Sequence, residues 1–173
     1  RSEFFANDVI FLGEAEFTWP RFLAEWKQGI HRNEYRQVER PDLATSPLPR
    51  WDSIADDVKR YRLAGVQTTR GCPYDCEFCD VIHLFGRQPR HKPVECVVKE
   101  VIALHKLGAQ RIFVCDDDFI GDKRYAKELL RALIPVNNSF DPPLTFSTQL
   151  TIDLAHDEEL MELMADCKIT QAG

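Results

Sequence analysis

The chain has 173 residues, with 22 basic against 28 acidic residues for a formal net charge of −6, and 44% of it is hydrophobic. That length suits about one domain with a single sizeable core, and the balance excludes a disordered chain, a polybasic nucleic-acid tail and a collagen-like chain. Apolar runs such as Val9 to Leu12, Val101 to Leu104 and Ala132 to Ile134 fall far short of the roughly 20 residues a bilayer crossing requires.

From the N-terminus, Asp8-Val-Ile-Phe-Leu12 patterns as a buried strand that ends at Gly13, and Glu16 to Gln28, with Phe17, Phe22, Leu23 and Trp26, as one helix interrupted near Pro20. One strand and one helix are too little for a domain, so residues 1–39 read as the remnant of one. Arg40 to Pro49 contains Pro41, Pro47 and Pro49, which fix φ and remove amide donors, and residues 40–63 therefore read as a proline-rich linker with a boundary near Tyr61.

Residues 64–173 alternate between two periods. Ala64 to Arg70 is a strand candidate that runs into Gly71 and a cysteine cluster. A helix begins at Pro93, repeats Val94, Val97, Val98, Val101 and Ile102 on one face and stops at Gly108. Arg111 to Cys115 is a strand that ends in Asp116, Asp117 and Asp118, and a helix over Lys123 to Ile134 follows, closed by Pro135. Leu144 to Leu150 is the third strand, Asp157 can cap a helix bearing Leu160, Leu163 and Met164, and Ile169 to Gly173 stands where a fourth strand is expected. The sequence therefore reads as an α/β fragment of parallel βα units, in a barrel or an open doubly wound sheet. Either architecture places the cysteine loop and the aspartates on one rim, beyond the C-terminal ends of the strands.

Of the six cysteines, Cys96, Cys115 and Cys167 lie in apolar-patterned segments and read as small buried hydrophobes. The other three form Cys72-Pro-Tyr-Asp-Cys76-Glu-Phe-Cys79, close enough to fold three thiolates around one metal centre. Ordinary 4Fe-4S sites supply four cysteines, so three leave one iron open to a substrate or cofactor. Clustered thiols favour a reducing compartment, and no secretory signal is visible ahead of them, so a cytoplasmic protein is expected.

Arg70-Gly-Cys-Pro-Tyr-Asp-Cys-Glu-Phe-Cys79 following a strand resembles the signature of the radical S-adenosylmethionine superfamily. The resemblance covers about residues 8–168 and includes Pro47-Leu-Pro-Arg-Trp51, Val66-Gln-Thr-Thr-Arg70, Gly86-Arg-Gln-Pro-Arg-His-Lys92 and Phe146-Ser-Thr-Gln149. It implies a partial (β/α)6 barrel, of which this chain holds the first half, with Cys72, Cys76 and Cys79 on a 4Fe-4S cluster whose fourth iron takes S-adenosylmethionine. Phe78 would contact the adenine side. Asp116, Asp117 and Asp118 stand where the superfamily usually carries Gly-Gly-Glu against the cofactor's amino group, and Thr148 and Gln149 would add polar contacts.

Those acidic substitutes, and Val9-Ile-Phe-Leu-Gly-Glu-Ala-Glu16 as a last strand and turn, resemble the subgroup with an N-terminal cobalamin-binding domain. Residues 1–39 would then be the tail of a Rossmann-like cobalamin-type domain. The Asp-x-His-x-x-Gly loop of many such domains is absent, so cobalamin is expected only of the full-length protein.

The implied activity is reductive cleavage of S-adenosylmethionine to a 5′-deoxyadenosyl radical, used for cobalamin-dependent methylation of a small molecule or lipid, with flavodoxin or ferredoxin as the reducing partner. A chain limited to these residues is expected to turn over poorly. Three alternatives stand beside this reading. His83, four positions after Cys79, could complete a Cys3His zinc site, the cluster could serve electron transfer alone, or the enzyme could methylthiolate tRNA. The acidic balance and the lack of a basic RNA-binding domain count against the last, and no nucleic-acid partner is expected. Arg87, Arg90, His91 and Lys92 read as a solvated loop rather than an anion-steering patch, while His31, His105 and His156 read as structural or surface residues.

Overall fold

Aromatic side chains organise the N-terminal segment. In the computed structural model, which describes residues 8–58 and 60–172, Phe11 on strand β1 (Ile10–Leu12) stacks on Tyr35 at a centroid distance of 5.4 Å and meets Phe22 edge-on at 5.5 Å. Phe22 and Trp19 come from helix α1 (Thr18–Lys27), and Tyr35 from strand β2 (Glu34–Arg36), which pairs parallel to β1. Residues 1–7 and Gly173, parts of the expected first domain and last strand, lie outside the described residues, as does Lys59.

The helix is not interrupted at Pro20 as the sequence suggests. Pro20 is its third residue, inside the first turn, where a missing N–H costs no intrahelical bond. Gly13 is required at the end of β1, because its φ is +87° and a Cβ there would lie 2.2 Å from the Gln37 carbonyl oxygen. Strands β1 and β2 are thus parallel and joined through α1.

The chain divides into two compact units, one ending at Ser46 and the other beginning at Pro47. The 40–63 segment is thus shared out rather than left as a linker. Leu43 is buried in a short 3-10 turn that Asp42 caps through the Ala44 amide at 2.9 Å. In the second unit Val58, the last residue of helix α2 (Ala55–Val58), belongs to the core, with Trp51 and Ile54 packed against it.

The second unit is built on four parallel strands in the order β3 (Ala64–Val66), β6 (Arg111–Val114), β7 (Thr145–Thr148) and β8 (Ile169–Ala172). Between β3 and β6 come β4 (Thr69–Arg70), α3 (Val81–Leu84), β5 (Arg90–His91) and α4 (Val94–Lys106). Helices α5 (Lys123–Asn138) and α6 (Glu158–Asp166) complete the βα units.

Strand alternation buries one face of the sheet. Val66, Ile112, Val114 and Phe146 pack with Val97, Val101 and Leu104 of α4, Leu129, Leu130 and Leu133 of α5, and Leu160 and Met164 of α6. The registers put Gly65, Phe113, Ser147 and Gln171 in one row across the sheet, on the opposite face. A doubly wound sheet would carry helices on both faces, so the α/β partial-barrel expectation holds, with an open inner wall.

Two helix ends differ from the pattern. Gly108 stops α4 as expected, with φ +89°. Pro135 does not close α5, which continues to Asn138. The extra turn places Asn137 against the next strand, where its amide nitrogen donates to the Leu144 and Cys167 carbonyls at 3.0 and 3.3 Å and its oxygen accepts from the Leu144 amide at 2.9 Å. Replacing Asn137 by alanine leaves these buried backbone groups unpaired, and a loss of about 3 kcal/mol is expected, measurable as a lower urea midpoint with an unchanged denaturant slope.

Candidate metal and cofactor site

The expected strand Ala64 to Arg70 is broken in two, and the break makes the site. After Val66 the chain leaves the parallel sheet, and Thr69–Arg70 pairs antiparallel with Arg90–His91. The cause is Asp116, just past β6. One oxygen of its carboxylate accepts the Thr68 and Thr69 amides at 2.6 and 3.0 Å, and the other accepts the Thr68 hydroxyl. Burial pushes the Asp116 carboxyl above its ordinary range, against these hydrogen bonds, which act in the opposite direction.

The other two aspartates are also engaged. Asp117 accepts the Gly71 amide at 2.8 Å. Asp118 is buried and accepts the Ile120 amide at 3.2 Å and the Thr151 hydroxyl at 3.4 Å, and desolvation raises its carboxyl as well. In this geometry Asp116 is committed to backbone, and Asp117 and Asp118 are the two whose carboxylates border the cysteine loop.

That loop, from Gly71 onward, lies between β4 and β5. Gly71 has φ +100°, and a Cβ there would meet the Gly86 and Gln88 carbonyl oxygens at 2.9 and 3.0 Å, so only glycine fits. The Cys72 amide donates to the Gly86 carbonyl at 3.2 Å, and the Cys79 amide to the Cys76 carbonyl at 3.0 Å. Cys72 and Cys79 are half-buried and Cys76 is exposed. Burial pushes the Cys72 thiol up, and the nearby Asp118, Cys79 and Asp117 add to the rise. Among the described residues no three His, Cys, Asp or Glu side chains converge as a ready-made metal cage, with or without His83. Three soft thiols on one short loop fit an iron-sulfur cluster in donor type.

Phe78 is 91% exposed. Thr148 is buried and its hydroxyl donates to the Val114 carbonyl at 3.3 Å, while Gln149 is exposed beside it. Gln149 also borders a concavity of about 680 Å³ on the open sheet face, together with Phe113, Ser147 and Gln171. Phe78 and Gln149 thus lie in the open, whereas Thr148 is tied into the sheet by its hydroxyl while lining the same concavity as Gln149.

Three further expectations change. Cys167 is buried, but Cys96 is only half-buried and Cys115 is exposed, because alternation after Val114 turns it toward the open face. The basic run is solvated only at its start: Arg87 is exposed, whereas His91 and Lys92 are drawn into packing. Arg87 pairs with Asp75 at 3.0 Å, His91 stacks on Tyr125 at 4.4 Å, and Lys92 is buried with its ammonium 2.8 Å from Glu100. Sequence spacing also missed Tyr74, whose hydroxyl donates to Asp153 at 2.5 Å across 79 positions. That bond raises the Tyr74 hydroxyl, and no local periodicity could have shown it.

Comparison with known proteins gives the setting for this rim. Residues 66–173 match the family model described as the Radical SAM superfamily. The chain is 42% identical over 161 residues to an uncharacterized methyltransferase of Synechocystis sp., covering 92% of this chain and 30% of that protein. It is 29% identical over 164 residues to hopanoid C-2 methylase of Rhodopseudomonas palustris, covering 92% and 31%. It therefore spans under a third of the length of these relatives. Among solved structures, the cobalamin-dependent S-adenosylmethionine radical enzyme OxsB with aqua-cobalamin bound superposes with a TM-score of 0.71 at 18% identity, covering 92% of this chain and 26% of that one. The radical S-adenosylmethionine methyltransferase TsrM from Kitasatospora setae, with cobalamin and a 4Fe-4S cluster bound, gives 0.60 at 22% identity, covering 68% and 23%.

Two outcomes follow from the burial pattern. Iodoacetamide at pH 8 is expected to modify exposed Cys76 in the native apo chain and to leave Cys167, whose thiol burial pushes up to about 12, unmodified until denaturant is added, as read by peptide mass spectrometry. The second concerns Asp116. Its carboxyl is raised in the folded chain, so its contribution to stability is full below the unfolded value and is lost as pH rises through the folded one. Asp116→Asn cannot ionise and retains an acceptor for the Thr68 and Thr69 amides. The urea midpoint of the parent, relative to this variant, is therefore expected to fall as pH rises from about 4 to 8.

Proposed function

The chain belongs to the Radical SAM superfamily, and from that premise we propose that it is part of an enzyme that cleaves S-adenosylmethionine reductively and uses cobalamin to methylate a small molecule or lipid. The observation that carries the reading is the Cys72, Cys76, Cys79 loop at the C-terminal rim of a parallel sheet. The methyltransferase and methylase names of the relatives support the methylation outcome, and the cobalamin-dependent structural neighbours agree in fold.

In this proposal Cys72, Cys76 and Cys79 hold a 4Fe-4S cluster through their thiolates. Bound there with S-adenosylmethionine, the cluster would supply one-electron cleavage of the C5′–S bond to give a 5′-deoxyadenosyl radical. The remaining tasks belong to the protein. Asp117 and Asp118 place negative charge next to Cys72, where an ammonium group of the cofactor is stabilised by charge-assisted hydrogen bonds. Phe78, projecting from the loop, is available to stack on the adenine, and Gln149 offers an amide at the edge of the concavity. Asp116 and Thr148 keep the strand ends in place.

The open face carries Gly65, Phe113, Ser147 and Gln171, without a formal charge. An external reductant, a flavodoxin or ferredoxin, would deliver the electron. Among the described residues no helix is long and apolar enough to cross a membrane.

The test is electron paramagnetic resonance of the anaerobically reconstituted, dithionite-reduced chain. A 4Fe-4S signal is expected that changes when S-adenosylmethionine is added and that is lost in Cys76→Ala. Stoichiometric zinc with no cluster signal would replace this reading with the Cys3His alternative.

A further inference from the structure

Cys72 is held differently from its two partners. The residue before it, Gly71, donates its amide to Asp117, which follows β6, at 2.8 Å. Two residues after it, Tyr74 donates its hydroxyl at 2.5 Å to Asp153, which follows β7. Asp153 is itself fixed, since its carbonyl accepts the Lys123 ammonium of α5 at 2.9 Å. Between these points the Pro73 carbonyl accepts from Arg87 at 3.1 Å, and the Pro73 ring packs so near Gly121 that a Cβ there would lie 3.0 Å from it. By contrast, Cys76 and Phe78 are exposed, and the Cys76 to Cys79 arm closes on itself through the Cys79 amide.

We propose that Tyr74 and Asp153 are positioning residues for the metal centre, a clasp that presets Cys72 as the fixed ligand while the Cys76 to Cys79 arm closes over the bound cluster. The proposal deepens the cluster-binding reading of the loop and rests on it. A ligand already in place loses less conformational freedom on binding than one that must be ordered. The clasp is suited to this because a phenol-to-carboxylate hydrogen bond is about twice as strong as a neutral one. It also joins two rim elements far apart in sequence, so the third strand's loop bears directly on the first cysteine. In this proposal Tyr74 acts on the cluster through the loop backbone it shares with Cys72, and Asp153 through Tyr74.

The experiment measures iron release to a chelator from the anaerobically reconstituted chain, together with the electron paramagnetic resonance spectrum of the reduced cluster. Tyr74→Phe and Asp153→Ala are each expected to release iron about tenfold faster than the parent, the equivalent of one charge-assisted hydrogen bond. The double variant should be no faster than either single one, because the two groups act as a pair. Asp153→Asn, which keeps an acceptor but loses its charge, should fall between the parent and Asp153→Ala, about threefold faster than the parent, and the reduced spectrum should shift in Tyr74→Phe.

Parent-like release in Tyr74→Phe, or additive effects in the double variant, would overturn the clasp. So would release rates that merely follow the urea midpoints of the apo variants, since those report general stability. A parent chain that takes up no iron would overturn the proposed function and the clasp with it, whereas a loaded parent with unchanged variants sinks the clasp alone.

Discussion

The geometry of the rim depends on one buried carboxylate. Asp116 is 1% exposed, and a carboxyl group removed from water must find hydrogen-bond partners or cost several kcal/mol. It finds them in the Thr68 and Thr69 amides and the Thr68 hydroxyl. The β3 ladder with β6 ends at Val66, and these amides are turned to the carboxylate instead. Because they are captured, the chain turns out of the sheet after Val66, pairs Thr69–Arg70 with Arg90–His91, and encloses the loop from Gly71 to Pro89. A side chain just past the second strand of the sheet thus decides where the loop after the first strand begins.

The three consecutive aspartates divide the work by direction. Asp116 reaches back to Thr68 and Thr69, Asp117 to the Gly71 amide, and Asp118 to Ile120 and Thr151. An acidic run at a strand end would ordinarily be solvated and self-repelling. Here two of the three are buried, with their carboxyls pushed up by desolvation, and each is compensated by backbone or hydroxyl donors. The same segment therefore fixes the loop entrance and sets the negative field around Cys72.

Beneath the rim, the flanking charges are absorbed into packing. Lys92 and Glu100 form an ion pair at 2.8 Å with side chains 11% and 1% exposed, and the Trp51 indole donates to the same carboxylate at 3.3 Å. Such a pair gains little net stability over apolar packing, but losing one partner strands a buried charge. Its position is informative: it ties Trp51, in a segment that reads as linker, to helix α4 and to the residue following β5. The Tyr125 hydroxyl adds a bond of 2.6 Å to the Lys92 carbonyl, so β5 is anchored from α5 as well. The two strands that flank the cysteine loop are thereby held from the helical layer.

Elements with strong local periodicity were legible in the sequence. The Val94, Val97, Val98, Val101 and Ile102 stripe of α4, the Asp157 cap of α6 and the strands β6 and β7 rest on short-range patterns, and each formed close to where it was expected. The thiol triplet was legible too, because its spacing is local and its chemistry is carried by residue type. Proline misled twice, since its effect depends on its place in a helix: Pro20 falls in the first turn of α1, and Pro135 is accommodated in an α5 that runs on until Asn137 reaches Leu144. What only the tertiary structure decided were interactions between distant positions: the break after Val66, the commitment of Asp116 to backbone, the exposure of Cys115, and the Tyr74 to Asp153 bond. These depend on which groups the fold desolvates together, and a linear pattern holds no record of that until the strands are laid side by side.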